Sequence, residues 1–218
     1  MSELQIASFI RTIAVAAIPV IFGITLHEVA HGWMARRFGD RTAELAGRLS
    51  LNPLKHVDPF GTILVPMIML WLGGFLFGWA KPVPVNFRSM RDPRRAMIAV
   101  AAAGPLANFA MAFGWALCMQ VNVLGGGPGE FVNQMASFGI LFNVLLGIFN
   151  LLPIPPLDGG RVLRGFVGPS FGHTLDRVEP YGTIIVVVLL ATGVLNRVMG
   201  PLLNIVSNAV LRLAGVGN

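Results

Sequence analysis

The sequence contains few charged residues for its length. Asp, Glu, Lys and Arg make up 12% of its 218 residues, about half of the 25% that is usual in soluble domains. Hydrophobic residues make up 55% of the chain, which excludes a disordered protein. So few charges cannot cover a globule of this size in water. The composition therefore predicts a polytopic membrane protein that forms a single bundle.

Cysteine and acidic residues are also scarce. The single cysteine, Cys118, cannot form a disulfide within the chain, which excludes a disulfide-rich secreted scaffold. The net charge of +6 reflects 16 Lys and Arg against 10 Asp and Glu. These basic residues stand in short clusters between apolar runs, and no nucleic-acid-binding motif accompanies them. We therefore expect them to orient the chain in a lipid bilayer rather than to bind nucleic acid.

Apolar segments occupy most of the chain. The first segment lacks a basic start and is too long for a signal-peptide core, so we expect it to remain as a transmembrane helix. The last segment could either cross the membrane or lie at its surface. The predicted fold is one all-α membrane domain over residues 1–218, with about four to six transmembrane helices. The approximate bounds of the apolar segments are 6–38, 60–79, 96–124, 131–152, 181–195 and 200–214.

Residues 80–95 differ from these helical segments. Val83 and Val85 alternate there with Pro82 and Pro84. Proline lacks a backbone N–H and is unfavourable inside a helix or a central strand. This segment therefore predicts a short, extended β-hairpin.

The first apolar segment contains the pattern His27-Glu28-Val29-Ala30-His31. Residues four apart share one face of a helix, so both imidazoles can bind one metal ion. Glu28 lies about 100° around the helix from His27, where it can reach a water molecule but is poorly placed to be a ligand. Two imidazoles with a non-ligating carboxylate are typical of zinc-dependent hydrolysis. A structural pair of histidines is the alternative, but ionisable groups inside an apolar helix are costly and usually functional.

The position of this pattern predicts the kind of substrate. Fifteen uncharged residues separate Arg11 from His27, or about 22 Å of helix, and Arg36 and Arg37 mark the other membrane interface. The metal site should therefore lie inside the hydrocarbon layer. The peptide found at that depth is another transmembrane helix, so we expect a membrane-protein substrate.

A hydrolytic zinc ion needs a third protein ligand, which must come from another segment. Asp158 is favoured, because the prolines before it prevent a regular helix and Gly159 and Gly160 allow a sharp turn. A simple surface turn at Asp158 is the alternative. The candidates for the third ligand are Asp158, His56, His173, Asp58 and Asp176.

These motifs resemble those of the site-2 protease family, the intramembrane zinc metalloproteases. The resemblance covers most of residues 20–165, and the chain is similar to a minimal member without PDZ or CBS domains. The Pro-Val-Pro stretch resembles the family's substrate-facing hairpin. The matching motifs are His27-Glu28-x-x-His31, Asn150-x-x-Pro153 leading to Leu157-Asp158-Gly159, and Gly104-Pro105-x-x-Asn108.

The resemblance implies a role for each matched residue. It implies one Zn²⁺ per chain, with His27, His31 and Asp158 as ligands and Glu28 as the general base, in a catalytic core of about residues 6–165 followed by C-terminal helices over about 180–214. Asn150 would lie beside the metal and donate to the oxyanion or hold the substrate backbone. Asn108 is either a substrate contact or a helix-packing residue. The residues expected to contact the substrate are Asn108, Val83, Val85 and Asn86.

Both halves of the zinc site must reach the same depth, which constrains the topology. If residues 60–79 crossed the membrane, Asp158 would lie on the opposite side from His31. We therefore predict a re-entrant or shallow segment at 60–79. The basic clusters then all lie on one side, which the positive-inside rule makes cytoplasmic. The expected location is the cell membrane, with the active site in the bilayer toward the cytoplasmic side.

The sequence leaves two other functions open. A transporter could use His27, Glu28, His31 and Asp158 as an ion or proton path, although no paired repeats are visible. An inactive scaffold that keeps the fold is the other. The expected partners are a transmembrane protein substrate and the lipid bilayer, and a homo-oligomer is left open.

Overall fold

The computed structural model describes residues 2–64, 67–68, 80–123 and 129–216. In this part of the chain the regular structure is helical, with no β-strand. The α-helices with described bounds are α1 (Glu3–Arg37), α2 (Thr42–Leu45), α3 (Pro93–Val123), α4 (Glu130–Asn150), α5 (Asp158–Phe166), α6 (Pro169–Val178), α7 (Gly182–Ala191) and α8 (Val194–Leu213).

Four of these helices, α1, α3, α4 and α8, are long and apolar enough to cross a membrane. Their lengths of 20 to 35 residues correspond to about 30–50 Å of helix, against about 30 Å of hydrocarbon. The chain is therefore an all-helical, multi-pass membrane protein, as its composition predicts.

The start of α1 follows from its first residues. The Ser2 hydroxyl accepts a hydrogen bond from the backbone N–H of Gln5, and the Gln5 side chain accepts one from the N–H of Ser2. This reciprocal pair satisfies backbone donors that a helix start otherwise leaves unpaired. At the other end, Gly39 adopts a φ of 101°, which favours glycine and ends the helical conformation.

Buried residues at every fourth position, about half of them Gly or Ala, bring the central helices together. Such a row lies along one face of a helix, and small side chains allow two helix backbones to approach closely. Because α1, α3 and α4 all pack against one another, these faces form the centre of the bundle. The buried rows include Pro19, Gly23, His27, His31 and Ala35 of α1, Ala96, Val100, Gly104, Asn108, Ala112 and Ala116 of α3, and Met135, Gly139, Asn143 and Gly147 of α4.

The C-terminal helices differ from the prediction. The segment expected over 181–195 ends as α7 at Ala191 after ten residues, or about 15 Å, which is too short to cross the bilayer. Gly193, with a φ of 72°, separates it from α8, which begins at Val194 rather than near residue 200. Leu195, Met199 and Val210 of α8 pack with α3 and α4 in the main apolar core.

The β-hairpin expected over residues 80–95 is not formed in the structure. Residues 80–86, here called the extended segment after the extended backbone at Asn86, form neither helix nor strand; Phe87–Ser89 form a 3₁₀ turn, and α3 begins at Pro93. Pro82 and Pro84 have no N–H to donate to a partner strand. The backbone N–H groups of Val83 and Asn86 are instead bound by carboxylates of other segments, Glu28 and Asp40. The alternation of residues predicts a hairpin because it does not indicate that these carboxylates bind the N–H groups in place of a partner strand.

The connection between α1 and α3 begins and ends at the same end of the bundle. The backbone N–H of Arg91, just before α3, donates to the carbonyl of Phe38, just after α1. The expected re-entrant segment at 60–79 lies mostly outside the described residues; Pro59–Leu64 form a π-helical turn at its start.

Candidate metal centre

Three side-chain atoms from two segments meet in the interior of the bundle. Nε2 of His27 lies 3.0 Å from Nε2 of His31. Oδ2 of Asp158 lies 3.2 Å from Nε2 of His27 and 3.3 Å from Nε2 of His31. All three side chains are buried. The structure therefore brings together the three residues that the sequence motifs predict as ligands.

Local sequence explains how Asp158 reaches the histidines. The prolines at positions 153, 155 and 156 prevent α4 from continuing, and the chain folds back tightly before α5. A Cβ atom at Gly159 would collide with the backbone carbonyl of Leu151, so only glycine permits this close approach. The turn places Asp158 at the first position of α5, against the buried face of α1.

The second nitrogen of each histidine ring fixes its orientation. Nδ1 of His27 lies 2.6 Å from Oδ1 of Asn108, and Nδ1 of His31 lies 2.7 Å from the carbonyl oxygen of Val100. A carbonyl oxygen only accepts, so each Nδ1 must carry the proton and donate it. Each Nε2 is then left with a lone pair directed toward Asp158. This is the arrangement of a metal-ligating histidine with its supporting hydrogen bond.

A further asparagine, Asn143, holds the Asn108 side chain in the orientation in which its oxygen accepts from His27. The Asn108 amide nitrogen donates to the carbonyl of Gly23 at 3.1 Å and to Oδ1 of Asn143 at 3.0 Å. Asn143 in turn donates to the carbonyl of Gly139. Since both donors of Asn108 are used, its oxygen must face His27. Sequence reasoning misses Asn143, although an asparagine inside an apolar helix is a usable signal, because such a group needs a partner.

The three atoms fit a zinc ion. Two unprotonated nitrogens and a carboxylate oxygen this close repel one another unless a cation lies between them. Oδ2 of Asp158 is buried and accepts no hydrogen bond from any described residue. Tetrahedral zinc with bonds of about 2.0–2.1 Å separates its ligand atoms by about 3.3 Å, close to the distances in the structure. The donor set and its spacing therefore match a zinc site with one position left for another ligand.

The three ligands open onto a cavity of about 170 Å³. Glu28 and Asn150 also line this cavity, as do Val83 and Val85 of the extended segment. Oε2 of Glu28 accepts a hydrogen bond of 2.8 Å from the N–H of Val83, which fixes the carboxylate beside the ligands. The Asn150 amide donates to the carbonyl of Leu146 at 2.9 Å; an amide nitrogen has two hydrogens, so this bond uses one of them.

Asp40 holds the other end of the extended segment. Its carboxylate accepts hydrogen bonds from the N–H of Asn86 and from the N–H and hydroxyl of Thr42. Burial alone would raise the pKa of Asp40, but these hydrogen bonds lower it below its usual value. Glu28 and Asp40 thus attach the segment to α1 and the residues that follow it. Sequence reasoning misses Asp40, because its partner is a backbone N–H with no side-chain signature.

Several predicted residues lie elsewhere. Asn108 is fully buried behind His27, and neither it nor Asn86 is among the residues lining the cavity; the Asn86 side chain instead accepts from the N–H of Arg88. In the described part of the chain, the group that could hold a metal comprises His27, His31 and Asp158. The other candidate ligands bind protein groups: His56 contacts the carbonyl of Ser50, Asp58 accepts from Phe60 and Gly61, and Asp176 pairs with Arg164 and His173.

Comparison with known proteins agrees with this geometry. The model of a family described as "Peptidase family M50" matches residues 15–125 and 127–193. The chain is 41% identical over 201 residues to "Putative zinc metalloprotease YwhC" of Bacillus subtilis, covering 90% of this chain and 89% of the relative. It is 35% identical over 180 residues to "Putative zinc metalloprotease Rip2" of Mycolicibacterium smegmatis, covering 81% of this chain and 66% of the relative. No solved structure matches the chain.

Proposed function

Because the chain belongs to peptidase family M50, it is an intramembrane zinc metalloprotease, and we propose that His27, His31 and Asp158 hold its zinc ion while Glu28 acts as the general base. The observation that supports this most directly is the convergence of the three ligand atoms beside Glu28 in one cavity. The four apolar helices make it a multi-pass membrane protein. The transporter alternative is not favoured by the family or by the ligand geometry.

The cavity residues divide the chemistry of peptide hydrolysis among them. A bound zinc ion supplies Lewis acidity, which lowers the pKa of a water molecule and polarises a peptide carbonyl. Glu28, held by the N–H of Val83, accepts the proton of the attacking water and then delivers it to the leaving amine. Asn150 donates the second hydrogen of its amide to the oxygen that becomes negative in the transition state.

The remaining polar groups position this machinery. Asn108 orients the ring of His27 from behind, a role supported by its complete burial and its hydrogen bonds. Val83 and Val85 line the cavity and offer the backbone of an extended segment to an unwound substrate. Asn86, bound to Asp40, fixes the end of that segment. The active site lies toward the cytoplasmic side, because basic residues cluster at that end of the bundle.

The test of the general base is Glu28→Gln in purified protein. The glutamine oxygen can still accept from Val83, and Glu28 is not a ligand, so we expect the variant to retain one zinc ion per chain. Cleavage of a single-span membrane substrate should fall by about 10²–10⁴-fold, the usual contribution of a general base. Zinc content is measured by atomic emission, and cleavage by gel electrophoresis of the products.

Glu3→Gln is the matched control, because Glu3 is an exposed glutamate in the first turn of α1 and should leave both measurements unchanged. A Glu28→Gln protein that binds zinc and cleaves at the unmodified rate would contradict the assignment of the general base.

A further inference from the structure

A second, larger cavity of about 420 Å³ adjoins the zinc cavity. The two share a wall made by the extended segment and by Arg161 of α5. Beyond this wall the larger cavity, here called the vestibule, is lined by Arg164 of α5, by Asp176 of α6 and by Glu179. A polypeptide that leaves the zinc site between the extended segment and α5 enters the vestibule.

Arg161 stands at the junction of these two spaces. It lies three residues after Asp158, so it shares a face of α5 with that ligand and lies about 4.5 Å further along the helix. Of the described residues that line both cavities, Arg161 is the one that carries a charge. Its guanidinium is therefore placed to meet a substrate that reaches from the zinc site into the vestibule.

The two arginines of the vestibule differ in how closely they pair with neighbouring carboxylates. Arg164 makes hydrogen bonds of 2.8 and 3.1 Å to both carboxylate oxygens of Asp176. Nη2 of Arg161 lies 3.9 Å from Oε1 of Glu179, which is too long for a hydrogen bond. The Arg161 side chain is also 47% exposed. An entering carboxylate can therefore bind Arg161 at little cost, whereas the Arg164–Asp176 pair would have to be broken.

We propose that Arg161 forms a subsite for a carboxylate of the substrate, an Asp or Glu side chain about two or three residues from the scissile bond on the vestibule side. The spacing follows from the position of Arg161 and from the rise of about 3.3 Å per residue of an extended chain. Guanidinium and carboxylate groups form paired, charge-assisted hydrogen bonds. This subsite rests on the proposed function, and it predicts substrates that carry an acidic residue at that distance from the scissile bond.

The test uses charge exchange between enzyme and substrate. Three single-span model substrates differ only in the pair of residues two and three positions from the mapped cleavage site, placed on both sides of it: Asp-Asp, Asn-Asn or Lys-Lys. Cleavage is measured in vesicles of phosphatidylcholine alone, so that anionic lipid headgroups cannot occupy Arg161. We expect the unmodified protein to cleave the Asp-Asp substrate with a kcat/KM about tenfold above the Lys-Lys substrate, and Arg161→Glu to reverse that order while keeping its zinc.

Arg177→Glu is the matched control, because Arg177 is an exposed arginine of α6 that is not among the residues lining either cavity. It changes the net charge equally and should preserve the original order of substrates. The subsite is overturned if Arg161→Glu lowers cleavage of all three substrates by the same factor, if it leaves the order unchanged, or if Arg177→Glu reverses the order as well.

A binding measurement separates failure of the subsite from failure of the protease assignment. Zinc-loaded Glu28→Gln protein, with and without Arg161→Glu, is titrated with fluorescent peptides that carry the Asp-Asp or Lys-Lys pair, and Kd is measured by anisotropy. A preference for Asp-Asp that Arg161→Glu reverses supports the subsite even if no substrate is cleaved. If the Asn-Asn substrate is cleaved only with zinc but neither Kd nor kcat/KM depends on charge, the subsite fails and the protease assignment stands.

Discussion

Gly104 of α3 faces both histidines of the candidate metal site. A Cβ atom there would lie 2.6 Å from Cε1 of His31 and 2.7 Å from Cε1 of His27, closer than non-bonded carbon atoms approach. The same helix supplies the hydrogen-bond acceptors of both rings, the carbonyl of Val100 and the side chain of Asn108. The absence of a side chain at position 104 thus allows α3 to support the two rings at hydrogen-bonding distance.

Gly104→Ala should therefore damage the metal site without breaking the helix, since alanine favours helix formation. The new methyl group would overlap both imidazoles, so at least one of them must move from its present position. We expect zinc affinity to fall by about 10–100-fold, the usual cost of disturbing the groups that support a metal ligand, with a parallel loss of cleavage. Titration against a zinc chelator measures the affinity.

The control for this substitution lies ten residues further along α3. A Cβ atom at Gly114 has no neighbour within 4 Å in the described structure, so Gly114→Ala should bind zinc as tightly as the unmodified protein. Equal zinc affinities for the two alanine variants would show that the close approach at Gly104 does not hold the histidines in place.

At the residue scale, the sequence indicates the three candidate ligands more clearly than the groups that hold them in place. His27 and His31 stand four residues apart, and Asp158 follows a proline-rich break, so spacing and local stiffness both indicate them. Asn143 and Arg161 have no such pattern, because the contacts of Asn143 depend on how α3 packs against α4 and those of Arg161 on how α5 lies beside Glu179. The carbonyl of Val100 leaves no trace in the sequence at all, since any residue at that position would supply one.

At the element scale, the extended segment 80–86 is held by side chains rather than by strand pairing. Glu28 binds the N–H of Val83 and Asp40 binds the N–H of Asn86, while Arg48 donates to the carbonyl of Lys81 at 2.6 Å. Alternating prolines predict that the segment is not a helix, because proline is unfavourable inside one, and residues 80–86 form none. They do not determine which groups the remaining N–H donors bind. The end of α7 is not predicted either, because the apolar run in the sequence continues past Gly193.

Asp40→Asn should loosen this segment and lower the stability of the protein. Asp40 uses both carboxylate oxygens as acceptors, whereas asparagine offers one oxygen and turns an NH₂ group toward a donor. Leaving one buried donor unpaired costs about 1–3 kcal/mol, so we expect a lower Tm in detergent at pH 7. Cleavage should fall as well, because Val83 and Glu28 lie at the other end of the segment.

The pH dependence of the fall in Tm tests whether it comes from the loss of the Asp40 carboxylate. Because the pKa of Asp40 is lower in the folded protein than in the unfolded chain, its carboxylate stabilises the fold above about pH 4, the unfolded value. That contribution disappears as the pH falls through the folded pKa, so the Tm difference between Asp40→Asn and the unmodified protein should shrink below pH 4. Asp176→Asn is the comparison: Arg164 also lowers the pKa of this exposed carboxyl, and an exposed pair contributes little stability. A Tm difference for Asp40→Asn that is constant from pH 3 to 7 would contradict this account.

At the scale of the whole molecule, the zinc site requires the end of α1, the start of α3 and the end of α4 to lie on one side of the bundle. The hydrogen bond from Arg91 to Phe38 joins the first two, and the contact of Asp158 with His27 and His31 joins the third. Residues 36–95 contain ten of the 16 Lys and Arg residues of the chain, whereas the sequence between α3 and α4, residues 124–129, contains none. From this distribution and the positive-inside rule we propose an orientation in which the zinc site lies nearer the cytoplasm.

This orientation predicts the labelling pattern of single cysteines in a Cys118→Ser background, since Cys118 is exposed. Leu54→Cys and Arg88→Cys lie on the two halves of the connection between α1 and α3, and both positions are exposed. We expect a membrane-impermeant maleimide to label both in inverted vesicles and neither in intact cells. Glu130→Cys, at the exposed start of α4, should show the reverse. Labelling of positions 54 and 88 from opposite sides would mean that residues 60–79 cross the bilayer, and Asp158 could then not meet His31 from α5.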